Sequence, residues 1–297
     1  MKGRIFINYK KWFQNNTYSL KGKRVALFGS TGGIGNELCR YILMLGGALI
    51  TVDRNSQKAE DLKLKLKTEF KSAEIFGITA DLENIQDVKS ACDKLIEYGA
   101  DIIIHNAGAY SIPRKICSTG YGNVFQINFL SPYYITRRLL PYLESKNGKV
   151  VIVGSIAHNY SKTDLNDIDF SCVTKASLVY GNAKRYLMFA GGLLGKENPN
   201  VHFAATHPGI TFTNITAHYP KLIFAIIKYP MKVIFMPPKK AALSIIKGIF
   251  EKTDSFEWIG PKIFNIWGKP SKKILKTCSF TEAESIYKKA EEIYGKL

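Results

Sequence analysis

The sequence predicts an α/β fold, a doubly wound parallel β-sheet with helices on both faces, formed as a single domain with a C-terminal extension. Three observations carry that expectation. Short apolar runs alternate with segments of helical spacing from residue 24 to residue 206, the pattern of strands joined by helical crossovers. Those runs end in a glycine, a carboxylate or an asparagine, as expected where ligands sit beyond the carboxyl ends of parallel strands. The first run, Arg24-Val-Ala-Leu-Phe28, leads straight into Gly29-Ser-Thr-Gly-Gly-Ile-Gly35.

Taken in order, residues 1–20 form a basic and aromatic arm, with Phe6, Tyr9, Trp12 and Phe13 among lysines and asparagines. Residues 21–297 form the domain. Leu38, Tyr41, Ile42 and Leu45 continue a helix after the glycine turn. Ala48–Val52 is a strand ending at Asp53, Lys58–Lys71 a charged helix, and Ala73–Ile78 a strand leading to Asp81. A helix over Ile85–Tyr98 and a strand over Asp101–Ile104 follow, the strand ending in His105-Asn-Ala-Gly108. Tyr121–Leu143 has helical spacing, and Lys149–Val153 and Phe203–Thr206 are strands. Residues 214–240 are apolar and aromatic with lysines interleaved. Lys239–Phe250 is a helix, Phe256–Ile259 a last strand, and Trp267 to Lys273 a loop. Thr281-Glu-Ala-Glu284 reads as a capping box opening a final amphipathic helix over 280–297.

The glycine turn carries the first chemistry. Gly29, Gly33 and Gly35 allow a tight turn and a close backbone approach to a pyrophosphate, which then rests on the helix N-terminus. Thr31 and Ile34 belong to the same cradle. Asp53 stands where a carboxylate would accept hydrogen bonds from ribose hydroxyls and repel a 2′-phosphate. Arg54, next to it, would pair with such a phosphate, but the glycine turn has no basic residue. The balance leans to NAD(H) over NADP(H).

The second chemistry is hydride transfer. Tyr180 and Lys184 are four residues apart, one turn of a helix, on one face. A lysine ammonium beside a phenol favours the phenolate, so the tyrosine can exchange a proton with an alcohol or ketone oxygen. Ser155, just beyond the strand Lys149–Val153, would aim its hydroxyl at the same oxygen.

With the glycine turn, Asp81, Asn106-Ala-Gly108, Asn128, Ser155, Tyr180, Lys184 and Pro208-Gly209 in this order, residues 21–215 resemble the short-chain dehydrogenase/reductase family, of Rossmann type. The resemblance implies an NAD(P)-dependent oxidoreductase interconverting an alcohol and a carbonyl, with Ser155, Tyr180 and Lys184 catalytic. Asn128 would link the lysine to a proton-relay water. Asp81 and Leu82 would border the adenine, and Asn106, Ala107 and Gly108 would shape the strand end beside the cofactor. Pro208, Gly209, Ile210 and Thr213 would seat the nicotinamide amide, and residues 214–240 after them would cover the substrate as a lid. The Ser-to-Tyr interval with Ile156-Ala-His158, the His207-Pro-Gly209 run and the C-terminal extension are similar to retinol dehydrogenase-like and protochlorophyllide reductase-like members, which implies a lipophilic substrate. Two residues depart from the pattern: Phe28 stands where a threonine usually precedes the first glycine, and His105 replaces an asparagine. A regulator or scaffold that binds the dinucleotide without turnover is the alternative, but it has no need of all four polar groups.

The chain of 297 residues carries a formal net charge of +18. Residues 1–24 hold five lysines and two arginines and no acid. Such a balance permits contact with an anionic membrane surface. No nucleic-acid recognition motif accompanies it, so no specific nucleic-acid partner is expected. Five scattered cysteines point to reduced thiols in a cytoplasmic setting, and the N-terminus lacks the apolar core of a secretory signal. His158, His202, His207 and His218 have no metal-ligand spacing, so no metal site is expected. The resemblance implies a homodimer or homotetramer, with a long C-terminal segment that could block the usual contacts.

Overall fold

The computed structural model describes residues 9–211 and 235–297. Residues 1–8 of the arm, Thr213, His218 and residues 214–234 of the expected lid lie outside them.

Eight strands form one sheet: β1 (Arg24–Phe28), β2 (Ala48–Asp53), β3 (Ile75–Thr79), β4 (Ile102–His105), β5 (Lys149–Val153), β6 (His202–Thr206), β7 (Glu257–Ile263) and β8 (Trp267–Ile274). Their order is β3-β2-β1-β4-β5-β6-β7-β8. Strands β1 to β7 run parallel, and β8 returns antiparallel to β7. The chain winds outward from β1 to β3, then crosses to β4 and winds the other way. The crevice between the carboxyl ends of β1 and β4 is therefore the place where such a sheet binds a ligand.

The two faces are covered by different helices. One carries α4 (Ile85–Glu97), α5 (Asn123–Phe125), α6 (Ser131–Ser145), α7 (Ala176–Glu197) and the last helix, α9 (Phe280–Tyr294). The other carries α1 (Tyr9–Asn16), α2 (Gly33–Met44), α3 (Ser56–Glu69) and α8 (Pro238–Phe250). Strands β1, β4 and β5 bury every residue but their first or none, as expected of strands with helices on both sides. In α1, Trp12 is buried and Phe13 packs on Tyr41 with ring centroids 4.9 Å apart.

Three expectations are corrected. Trp267 to Ile274 is not a loop but the edge strand β8, paired with β7 from Glu257↔Ile274 to Ile263↔Trp267. The last helix is capped by Ser279, whose side chain accepts from the Glu282 amide at 3.1 Å, so the box begins two residues earlier than Thr281. The helix read over 121–143 is not uniform: between α5 and α6 it opens into a π-turn at Gln126–Leu130.

Candidate active site

The glycine turn follows β1 and opens α2. Gly29 has φ +79°, and a Cβ there would stand 2.9 Å from Ala107 Cα. At Gly35 a Cβ would meet the Gly29 carbonyl oxygen at 2.0 Å. Only glycine fits either place. The N-cap of α2 is Gly32, which offers no side-chain cap, so the first amides of the helix are left to an anionic group. Gly33 and Ile34 form its first turn. These features fit a dinucleotide pyrophosphate.

Asp53 ends β2 beneath this turn and is buried. Its Oδ2 accepts from Ser30 Oγ at 2.5 Å, and its Oδ1 from the Thr31 amide at 3.1 Å and the Thr31 hydroxyl at 2.9 Å. Both oxygens of the carboxylate are thus engaged by the turn. Arg54 is exposed beside it.

The two departures from the family pattern explain each other. Phe28 and His105 sit opposite in neighbouring strands, and their rings stack at 5.2 Å. His105 Nε2 bonds Thr136 Oγ1 at 2.9 Å, and burial, aided by Lys184, pushes the imidazole down to about 3, so the ring is neutral. The tie from strand to turn passes to the next residue: Asn106 Nδ2 donates to the Gly29 carbonyl at 3.0 Å. Ala107 lies against Gly29. At the end of β3, Asp81 accepts from the Glu83 amide at 3.0 Å and Leu82 is buried.

Asn128 lies in the π-turn and is fully buried. Its Nδ2 donates to the Val124 carbonyl and to the Ala109 carbonyl, each at 2.8 Å, and its Oδ1 accepts from the Ala109 amide at 3.2 Å. The π-turn frees the Val124 carbonyl for that bond, and such turns gather at functional sites. Gly108 lies between Asn128 and Lys184: a Cβ there would be 2.8 Å from Asn128 Oδ1 and 3.6 Å from Lys184 Nζ.

Tyr180 and Lys184 come from the second and third turns of α7. The Ser155 hydroxyl, beyond β5, is within hydrogen-bonding reach of the Tyr180 phenol. Lys184 Nζ donates to the Val153 carbonyl at 3.0 Å and stands 5.7 Å from the centre of the Tyr180 ring. Burial pushes Tyr180 up to about 12, partly offset by the Ser155 hydrogen bond and reinforced by Tyr110, whose ring meets it edge-on at 5.4 Å. Burial also pushes Lys184 down to about 8. At the pH where this phenol would ionise, such a lysine is already neutral. In this state the pair is therefore a phenol beside an ammonium near neutral pH, not a phenolate.

Two further residues support this centre. His158, in the short turn Ile156–Tyr160, bonds the Ser155 carbonyl through Nδ1 at 2.6 Å and Thr277 Oγ1 through Nε2 at 3.0 Å. Arg185 is buried, donates to the Thr277 carbonyl at 2.7 Å and pairs with Glu282 at 2.6 Å. The serine loop is thereby tied to the C-terminal segment. Tyr110 is the other contact the spacing did not disclose.

Pro208, Gly209 and Ile210 follow β6. Gly209 has φ +85°, and a Cβ there would stand 2.9 Å from the Ile266 carbonyl in the β7–β8 hairpin. The Met236 amide donates to the Ile210 carbonyl at 2.8 Å, so the chain re-enters beside the point where it leaves. Among the described residues no cluster of three or more histidine, cysteine or carboxylate groups could hold a metal ion.

A crevice at the sheet's reversal, a glycine cradle on a helix N-terminus and a converging serine, tyrosine and lysine agree with the comparisons. The short chain dehydrogenase family matches residues 23–166. Over these residues the chain is similar to this family. It is 29% identical over 222 residues to the Short-chain dehydrogenase TIC 32 A, chloroplastic, of Brassica napus, covering 68% of each chain. It is 26% identical over 247 residues to Retinol dehydrogenase 14 of Homo sapiens, covering 76% of this chain and 74% of that one. A solved short-chain dehydrogenase from Sphingobium yanoikuyae in complex with NADPH is similar in fold, with a TM-score of 0.55 at 22% identity over 66% of this chain and 74% of its own. These likenesses support an oxidoreductase that uses a nicotinamide dinucleotide. No described helix is long and apolar enough to cross a membrane.

Proposed function

We propose that this protein interconverts an alcohol and a carbonyl on a lipophilic small molecule, with Tyr180 as the proton donor or acceptor. The Ser155 hydroxyl within hydrogen-bonding reach of the Tyr180 phenol, with the buried Lys184 ammonium 5.7 Å from that ring's centre, carries the reading. The dinucleotide, when bound, supplies or takes the hydride. Ser155 donates to the substrate oxygen and stabilises the charge that builds there. Tyr180, a phenol at neutral pH, gives its proton to that oxygen, so reduction of a carbonyl is the direction its protonation state suits. Lys184 holds positive charge beneath the phenol below pH about 8 and favours the phenolate that remains when the proton departs. Asn128 fixes the backbone at Ala109, beside Gly108 and the lysine. Pro208, Gly209, Ile210 and Thr213 would seat the carboxamide end, and Asp81 and Leu82 the adenine.

Where Asp53 in the sequence leans to NAD(H), we propose NADP(H) from the geometry around it. Asp53 already accepts three hydrogen bonds from Ser30 and Thr31, which leaves its carboxylate committed to the turn. Arg54 remains exposed at the crevice for a 2′-phosphate. The NADPH held by the Sphingobium yanoikuyae neighbour is in keeping with this. The lipophilic class rests on the likeness to Retinol dehydrogenase 14.

Fluorescence titration of the purified protein with NADPH and with NADH, followed by NADPH oxidation against a panel of long-chain and isoprenoid aldehydes, tests the proposal. Tighter binding of NADPH and turnover of at least one aldehyde are expected. Binding of neither dinucleotide would overturn the proposal, and binding without turnover of any aldehyde would move the scaffold reading to the front.

A further inference from the structure

Three segments distant in sequence converge beside the mouth of the crevice. The Tyr9 phenol of α1 is hydrogen-bonded to the Gly268 backbone in β8. Lys240, in the first turn of α8, stands over the Tyr9 ring at 4.6 Å. The Tyr41 hydroxyl donates to the Lys239 carbonyl at 3.1 Å and its ring packs on Phe13. The β7–β8 hairpin itself borders the site, because His207 Nε2 bonds the Asn265 carbonyl at 3.0 Å and Gly209 lies under Ile266.

The charge of these segments is one-sided. Residues 9–24, 235–250 and 258–276 contain thirteen Lys and Arg and not one Asp or Glu. Some of those lysines are spent locally: Lys272 bridges Glu251 and Glu257, Lys247 pairs with Glu251, and Lys273 donates to Pro261 and Asn265 within the hairpin. Lys262 and Lys269 flank the hairpin end on opposite strands and are exposed.

The hairpin end is also greasy. Phe264 is 88% exposed and Ile263 45%. Phe264 and Asn265 both hold left-handed backbone, at φ 49° and 58°. That conformation is strained for a bulky side chain and normal for asparagine or glycine, the residues such a turn prefers. A phenylalanine that is both strained and displayed to solvent contributes nothing to the fold that a smaller residue would not do better. An aromatic tip flanked by two lysines is complementary to a bilayer with anionic headgroups: the ring enters the acyl boundary and the cations meet phosphate. A nucleic acid would use the lysines but has no call for the apolar tip.

We propose that the β7–β8 hairpin tip, with Phe264 and Ile263 at its end and Lys262 and Lys269 beside it, docks the protein on an anionic lipid surface together with the basic faces of α1 and α8. Docking there sets the substrate side of the crevice against the bilayer. The inference stands without the catalytic assignment, since binding is read with no turnover.

Sedimentation of the full chain with phosphatidylcholine vesicles, with and without phosphatidylserine, tests it. Association with the phosphatidylserine vesicles that weakens with salt is expected. Phe264→Asn, which suits the left-handed turn and leaves folding intact, should lower the partition coefficient about tenfold, the scale of losing one buried aromatic side chain. Lys262→Ala with Lys269→Ala should lower it about 30-fold on anionic vesicles, at about 1 kcal/mol per cation near such a surface, and little on neutral ones. No association with anionic vesicles at low salt overturns the proposal, as does association that ignores Phe264→Asn. Displacement from vesicles by duplex DNA, with binding to that DNA unchanged in Phe264→Asn, would instead mark a nucleic-acid surface and refute it.

Discussion

Replacing Lys184 with methionine tests the electrostatics of the centre apart from its chemistry. Lys184 is 3% exposed, and burial lowers it from 10.5 to about 8. At 1.36 kcal/mol per pH unit, holding the ammonium in the folded protein well below pH 8 costs about 3 kcal/mol. The sign follows from proton binding. Between pH 8 and 10.5 the unfolded chain carries the Lys184 proton and the folded one does not, so wild-type stability rises with pH across that window. Below 8 both states are protonated and the penalty is present in full. Above 10.5 it vanishes. Methionine does not titrate, but it leaves the Val153 carbonyl without its Nζ partner, a fixed loss of about 1–2 kcal/mol. The variant is therefore expected to be more stable than wild type by about 1–2 kcal/mol at pH 7 and less stable by a similar amount near pH 10.5. Urea midpoints for both proteins at a series of pH values measure this, since groups common to the two cancel. A difference that does not change with pH, or that changes in the opposite sense, would refute the account of a desolvated ammonium.

Other consequences are narrower. The pH profile of carbonyl reduction should fall above pH about 8 as the Lys184 ammonium is lost; a flat profile to pH 10 in kcat/KM would contradict its role. Gly35→Ala places a Cβ 2.0 Å from the Gly29 carbonyl, so NADPH affinity measured by fluorescence should drop at least about tenfold as the turn moves off the helix N-terminus. Arg54→Ala should weaken NADPH far more than NADH, by about 10–100-fold if the guanidinium pairs with the 2′-phosphate. Arg185→Met leaves Glu282 without its buried partner, and denaturant unfolding should show a loss of about 2–3 kcal/mol, below the range for fully buried pairs because Glu282 is partly solvated.

Much of this was legible because glycine, asparagine and the Tyr-to-Lys spacing report backbone constraints directly. Strand β5 was read with the bounds it has, since four consecutive buried aliphatics leave no alternative. Strand β8 was not, because its buried face is made of Gly268 and Pro270, which give no apolar alternation, while lysines point outward. Proline is tolerated there only because β8 is an edge. The π-turn was hidden for another reason: it depends on the Asn128 amide taking the Val124 carbonyl, a tertiary choice that helical periodicity cannot register. Likewise Phe28 and His105 looked like two separate lapses, and only the register of β1 against β4 makes them one stacked pair. Asp53 kept its expected place but turned inward to Ser30 and Thr31, a partner choice that spacing alone does not fix.

The central claim is that Tyr180 moves the proton while the rest of the crevice holds the dinucleotide. Tyr180→Phe removes one oxygen from a residue that packs against Tyr110 and leaves the ring in place. The decisive measurement compares wild type and Tyr180→Phe for NADPH affinity and for NADPH-dependent reduction of the same aldehyde. The account predicts unchanged affinity and turnover lower by about 100-fold or more. Equal turnover in the two proteins would contradict it.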